Sequence, residues 1–338
     1  MLSLRRGTVV EAGEAAGSVQ PLEVEIDGER RPALADTALI GPSEAGDEVV
    51  VNVAARDLGL GSGGFDVVHV NLTRGLDGAG VPGAHVMKLN YTSLQHAVLP
   101  VEGEALALPV PVAAGVFFLH GQLAPAAWAF QQAAPHARLG YVQTVGGALP
   151  GGLSETVREL KSRGLIDGHL SAGQAYGGDG EAISTAGAIH HAGHALGWDA
   201  VLCGPAPGIL GSGSPLGHGG MVALDTAHAA LALGAPTLVV PRMSSGDDRA
   251  RHRGLSHHTS TVLSLLLEPV VVASPDGWEE HGAGDERHDW RHAPADLEGY
   301  RASGLPATTM GRALDEDALF FAAALAGGHV LAAMIGAA

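Results

Sequence analysis

Hydrophobic and polar positions follow two rhythms in this chain, and the change falls near residue 105. Before it, short runs at 6–11, 22–26, 31–35, 48–54, 67–72 and 85–91 carry alternating or continuous apolar residues between turn-forming ones. Asp27-Gly28, between two such runs, is a strong two-residue hairpin signal. Short strands at hairpin spacing, with no convincing helix, predict a small all-β domain over residues 1–104, either a β-barrel or a sandwich. Val49, Val51 and Val53 alternate with Val50, Asn52 and Ala54, which predicts a strand buried on both faces. Such a domain suits folding and homo-oligomer assembly as well as it suits a site.

After residue 105 the period lengthens. Strand-length apolar runs at 115–119, 139–144, 167–172, 199–203, 236–241 and 269–273 alternate with helix-length stretches at 122–134, 154–163, 181–196, 220–233 and 257–267. Strand and helix in alternation mean a mostly parallel sheet of about six strands with helices on both faces. Residues 105–338 therefore read as a doubly wound, Rossmann-like α/β domain that carries the site. The apolar stretch 320–338 is about long enough to span a bilayer. Its Ala-rich composition and Gly327, Gly328 and His329 favour a C-terminal helix packed on the sheet instead.

Composition narrows the classes. A net charge of -17 argues against nucleic acid as a partner, because phosphate binding needs a basic face. With 50 glycines and 46% hydrophobic residues, the chain is globular, not disordered. Cys203 stands alone, so no disulfide forms within the chain, which fits a reducing compartment. No apolar segment follows the first six residues, so no signal peptide is read; the expectation is a cytoplasmic protein without a membrane span.

In a parallel sheet the loops after the strands gather on one edge, where α/β proteins bind their ligands. The opposite loops here, such as Gly197-Trp198 and Gly234-Ala235, are short and plain. The edge loops are not. His120 ends the first strand, and Gly177, Gly178 and Asp179 follow the third. The fourth loop, 204–220, holds seven glycines. Backbone N–H groups at Gly208, Gly211, Ser212, Gly213, Ser214 and Gly217 could form an anion nest. It is not a Walker loop, because it lacks the Gly-Lys-Ser/Thr ending. Nor is it a dinucleotide fingerprint, since Leu216 stands where the third glycine belongs.

The fifth loop is the densest. It offers Asp247, Asp248, His252, His257 and His258 for acid–base chemistry, and Arg242, Arg249, Arg251 and Arg253 for holding an anion. Three readings stay open. Aspartates and histidines can hold a divalent metal with an activated water. Arginines can clamp a carboxylate or phosphate. Or the charges pair with one another and merely order the loop. Ser256 reads as an N-cap, which puts His257 and His258 in the first helical turn, where the helix dipole favours neutral imidazole.

Other histidines weigh less. His190, His191 and His194 lie off the apolar stripe of their helix and about 14–20 Å from its start, so a solvent-facing cluster is expected rather than a metal site. His281, His288 and His292 fall in a charged stretch that reads as either a lid or a solvated loop. Cys203 reads as a buried structural thiol, since no basic residue adjoins it.

The Gly140-to-Gly180 run, the Gly204-Pro-Ala-Pro-Gly-Ile-Leu-Gly-Ser-Gly-Ser-Pro-Leu-Gly217 loop and the Arg249-x-Arg-His-Arg-Gly-Leu-Ser-His-His-Thr259 stretch together resemble an uncharacterised bacterial family, domain of unknown function 3866. The resemblance covers nearly the whole chain, including Gly46-Asp47 through Asn71. It implies a soluble bacterial protein and brings no activity, substrate or cofactor.

The sequence thus points to an enzyme, a hydrolase or transferase, acting on a small anionic metabolite at the carboxyl edge of the sheet. A non-catalytic ligand sensor or assembly module is the alternative. A divalent metal is a conceivable cofactor, and its identity is unknown.

Overall fold

A computed structural model describes residues 2–59, 64–76, 80–278 and 286–335. It divides into two compact units, Met1–Leu99 with Gly152–Glu155, and Pro100–Gly151 with Thr156–Ala338.

The first unit is a closed barrel of five strands: β1 (Leu4–Ala12), β2 (Val19–Ile26), β3 (Glu29–Asp36), β4 (Glu48–Asn52) and β5 (Asp66–Asn71). Their order is β1-β2-β3-β5-β4, and β4 closes onto β1; only the β3–β5 pair is parallel. Asp27 and Gly28 both have positive φ, 53° and 84°, as the tight turn between β2 and β3 requires. Val9, Leu22, Val24, Ala33, Val49, Val51 and Val68 fill the interior. Val50 and Asn52 are only half-buried, so β4 buries one face and not both, as barrel closure demands. The sixth expected strand lies outside the barrel, where Val86–Lys88 pairs with His96–Val98. Buried polar groups there are paired: Asp47 accepts a fork from Arg74 and a bond from Asn71.

The second unit is an eight-stranded, all-parallel sheet. Its strands are β6 (Ala113–Phe117), β7 (Leu139–Thr144), β8 (Gly168–Ala172), β9 (Gly180–Ala182), β10 (Ala200–Pro205), β11 (Thr237–Val240), β12 (Val271–Pro275) and β13 (Asp289–Ala293). The order is β9-β8-β7-β10-β6-β11-β12-β13. The six expected strands are present, and β9 and β13 extend the sheet at its two edges. Both are short and weakly apolar, which is why pattern alone does not find them.

The helices of this unit include α1 (Leu123–Ala133), α2 (Glu155–Ser162), α3 (Thr185–His194), α4 (Val222–Ala232), α5 (His257–Leu265), α6 (Leu297–Ala302) and α7 (Ala318–Ala333). Successive residues of a strand point to opposite faces. In β10, Ala200 and Leu202 join a core with α1 and α7, while Val201 and Cys203 join another with Ala188, Ile189 and Ala192 of α3. The sheet is therefore covered on both sides. α7 is almost wholly buried, and no described helix is long and apolar enough to cross a membrane.

The stretch expected as a lid or solvated loop instead supplies edge strand β13. His288 is a structural link there: its Nδ1 accepts from the Val270 N–H and its Nε2 donates to the Leu263 carbonyl. His292 is exposed on β13. His281 lies outside the described residues.

Candidate functional site

β6 and β10 are neighbours, and β11 flanks β6 on its other side, so the loops after these three strands meet at the carboxyl edge. The glycine-rich loop leaves β10 and ends at His218, just before α4. The arginine-rich loop leaves β11 at Arg242 and ends at Ser256, the N-cap of α5, whose hydroxyl accepts from the His258 N–H.

Four imidazoles converge where these loops touch. His218 lies flat on His258, with ring centroids 3.7 Å apart and planes 8° apart. His257 sits 4.5 Å from His258 and 5.3 Å from His218. His252 lies 4.8 Å from His257 and 5.0 Å from His258. The rings pack close to Gly220: a Cβ there would stand 3.0 Å from His218 Nδ1 and 3.3 Å from His258 Nδ1, tighter than ordinary side-chain contact.

Arginines surround the rings. Buried Arg242 donates through Nη1 to His258 Nδ1 at 3.0 Å. A guanidinium only donates, so His258 Nδ1 accepts and its proton sits on Nε2. Arg242 also reaches Asp247 at 3.4 Å, and that buried carboxylate takes a two-bond fork from Arg249 as well. Arg312 pairs with Asp317, which accepts from the Ser244 hydroxyl. Arg253 donates to the Asp247 carbonyl. His252 Nδ1 is 2.8 Å from the buried Ser256 hydroxyl.

This setting keeps the rings neutral. Burial, then the charges of Arg242 and Arg249, push His252 down to about 3. Burial and Arg242 push His258 down to about 2. His257 is lowered by burial and by Arg251, Arg242 and Arg249. His218 is lowered by burial first, with the Pro215 carbonyl opposing weakly. Burial also lowers Arg242, to about 10, so it stays charged at neutral pH. Burial would raise the Asp247 carboxyl, but the Arg249 hydrogen bonds outweigh it and hold that group well below the usual carboxylate range.

Hydrogen-bonding capacity remains open here. Among the described residues, both ring nitrogens of His218, Nε2 of His257 and Nε of Arg242 are buried without a partner of good geometry. Buried polar groups are normally satisfied, so such atoms call for a ligand or a bound water.

The candidate residues scatter to different degrees. His252, His257, His258, Arg242, Asp247 and Arg249 come together. Arg251 is exposed, yet it lies near Gly213 of the glycine loop (3.9 Å from its Cβ position) and influences His257. Asp248 is exposed. The tip of the glycine loop closes on itself: Ser212 N–H and Oγ both donate to the Gly217 carbonyl, and Ser214 N–H donates to Ser212 Oγ. Gly208 and Gly211 belong to the same loop, where Gly211 bridges to His218. His120 leans on Tyr141, and burial lowers it to about 4 against the Pro205 carbonyl. The N–H groups of Gly177 and Gly178 already hold the chain's own Glu181 carboxylate, and Asp179 pairs with Lys161. That loop is an internally filled nest.

His218 is absent from the sequence-based candidates. It closes the glycine loop one residue beyond Gly217, and only its stacking on His258 reveals it. His190 and His194 grip one residue, His190 Nε2 accepting from Ala107 N–H and His194 Nε2 donating to Ala107 O. Cys203 is buried, and burial pushes its thiol up. A cleft of about 390 Å³ opens elsewhere, among Ala235, Pro236, Val270 and Met334 at the amino ends of the strands, and holds none of this chemistry.

A family model described as "Protein of unknown function (DUF3866)" matches residues 32–328. No curated protein and no solved structure is significantly similar to this chain.

Proposed function

The chain belongs to the family of unknown function DUF3866, and from its site we propose that it is an enzyme, a hydrolase or transferase, acting on a small anionic molecule. One observation carries this reading: neutral imidazoles and a buried guanidinium with open hydrogen-bonding capacity face one another at the carboxyl edge of a parallel sheet.

Each group has a role in it. Arg251 is the exposed cation that meets the anion at the rim of the glycine loop. Arg242 positions His258 and adds fixed positive charge. His257, half-buried with an unbonded Nε2, is the acid–base group. A neutral ring at physiological pH is ready to take a proton, and the anion's charge would ease its protonation. Asp247 holds the arginines in place and does not touch the ligand.

The test is hydrolysis of simple phosphomonoesters and carboxylic esters by the purified full chain. Turnover abolished by His257→Ala, with the fold intact by circular dichroism, supports the reading. No turnover with any of these substrates, alongside tight binding of an anionic metabolite, would instead make the protein a sensor.

A further inference from the structure

We propose that His218, His257 and His258 form a binding site for one divalent transition-metal ion of the zinc class, with a coordination position left open toward Arg251. This deepens the functional reading above and rests on it only for the role of the open position.

Three observations carry it. One nitrogen from each ring lies within 4.8 Å of the other two. Among the described residues, neither nitrogen of His218 has a hydrogen-bond partner of good geometry, the Pro215 carbonyl being its one polar neighbour of this kind, and Nε2 of His257 has none either. The lack of a side chain at Gly220 lets Nδ1 of both His218 and His258 lie close to its backbone. Three imidazole nitrogens suit zinc, with ligand distances of about 2.0–2.1 Å, and an all-imidazole set is too nitrogen-rich for magnesium or calcium.

Plane geometry says how the rings must move to hold an ion. A ligating lone pair lies in its ring plane, so an ion bound by two rings lies in both planes. His218 and His258 are stacked nearly parallel, and two separate parallel planes share no point. One ring must turn. By turning, His218 gives up only its poorly aligned approach to the Pro215 carbonyl, whereas His258 is held by Arg242 at 3.0 Å, so His218 is the ring that moves. His258 Nδ1 must also exchange its Arg242 donor for the ion. Arg242 has a place to go, because its Nη2 is already 3.4 Å from Asp247. The ion binds neutral rings, so no proton leaves them.

With the ion held, His257 would be a ligand, and water on the ion, not His257, would take the acid–base role given to that ring above; the open position would receive that water or one oxygen of the anion. Arg251 would meet the rest of that anion from the rim. The reaction class would then be metal-assisted hydrolysis.

The test is calorimetric titration of the chelator-treated full chain with Zn²⁺, and with Co²⁺ read by visible absorption. The expected result is one ion per chain and a Co²⁺ spectrum of tetrahedral type. His218→Ala and His257→Gln should each weaken binding by at least about 100-fold, more than loss of an outer-shell partner does. His190→Ala should leave it unchanged. Arg242→Met should tighten binding, because it frees Nδ1 of His258 and removes a cation; a merely structural arginine would not have that sign. Should Arg242→Met fail to fold, the His218 and His257 variants decide alone. No binding below 100 μM, or binding untouched by both variants, overturns the proposal. Inorganic phosphate titrated into the chelator-treated chain separates the two readings: phosphate binding without zinc binding keeps the anion site and discards the metal, and zinc binding without phosphate binding does the reverse.

Discussion

Arg242 donates to Nδ1 of His258 across 3.0 Å, inside the protein, between the end of one strand and the first turn of a helix. A cation bonded to a histidine is an uncommon pairing, and it adds to burial in keeping that ring neutral. His258 is neutral, with its proton on Nε2. Its stack with His218 sets two neutral rings face to face, where two imidazoliums would repel. Removing Arg242 should therefore let His258 titrate closer to its ordinary value. In histidine-ring NMR, Arg242→Met should raise the His258 midpoint.

Asp247 is the anchor on which Arg242, Arg249 and Arg312 converge. Asp247→Asn keeps the shape and removes the charge. It should cost about 3–5 kcal/mol, the usual effect of breaking a buried pair by removing one partner. Urea denaturation measures it; a loss under about 1 kcal/mol would mean that the arginines rearrange freely.

The same four histidines set an acid limit. Each binds fewer protons folded than unfolded, so stability rises with pH between the folded and unfolded values. The contribution is complete above about 6.5 and is lost as pH falls toward about 3 for His252 and about 2 for His258. Stability measured by urea titration should fall between pH 6.5 and 4.5, before most carboxylates protonate. In His252→Gln that decline should be shallower. An equally steep decline in the variant would contradict the neutral-ring account.

In the barrel, Gly28 sits at φ 84°, where an L side chain is strained. Gly28→Ala should destabilise by about 1 kcal/mol, read as a lower thermal midpoint. The open space around it means that strain alone, not a clash, produces the loss.

The His190–His194 grip on Ala107 should be separable from the site. The double change to alanine removes two partly exposed hydrogen bonds and should cost about 1–2 kcal/mol. Phosphate and zinc titrations should not change.

Much of this architecture is legible in the residue pattern, for physical reasons. Central strands such as β7 and β10 are buried on both faces and read as continuous apolar runs, so their positions follow from the sequence. Asp27-Gly28 announces its turn because few residue pairs tolerate that backbone. Edge strands β9 and β13 escape because half of each is solvated or polar. The arginine-rich loop is visible as composition, but composition does not say which charges pair. Asp247 takes up Arg242 and Arg249, and Glu181 fills the nest of Gly177 and Gly178; both facts depend on three-dimensional approach. His218 escapes for the same reason: its partner His258 is 40 residues away in the chain, and β6, the first strand of its sheet, separates β10 from β11.

The central claim is that neutral histidines beside Arg242 and Arg251 receive an anion. Histidine-ring NMR of the full chain at pH 6, with increasing inorganic phosphate, tests it most directly. The account predicts rings largely unprotonated before phosphate and signals of His218 and His257 that shift saturably with it, while His190 and His194 stay still. Rings already half-protonated near pH 6.5, or no selective shift up to about 50 mM phosphate, roughly the weakest affinity worth calling a site, would contradict it.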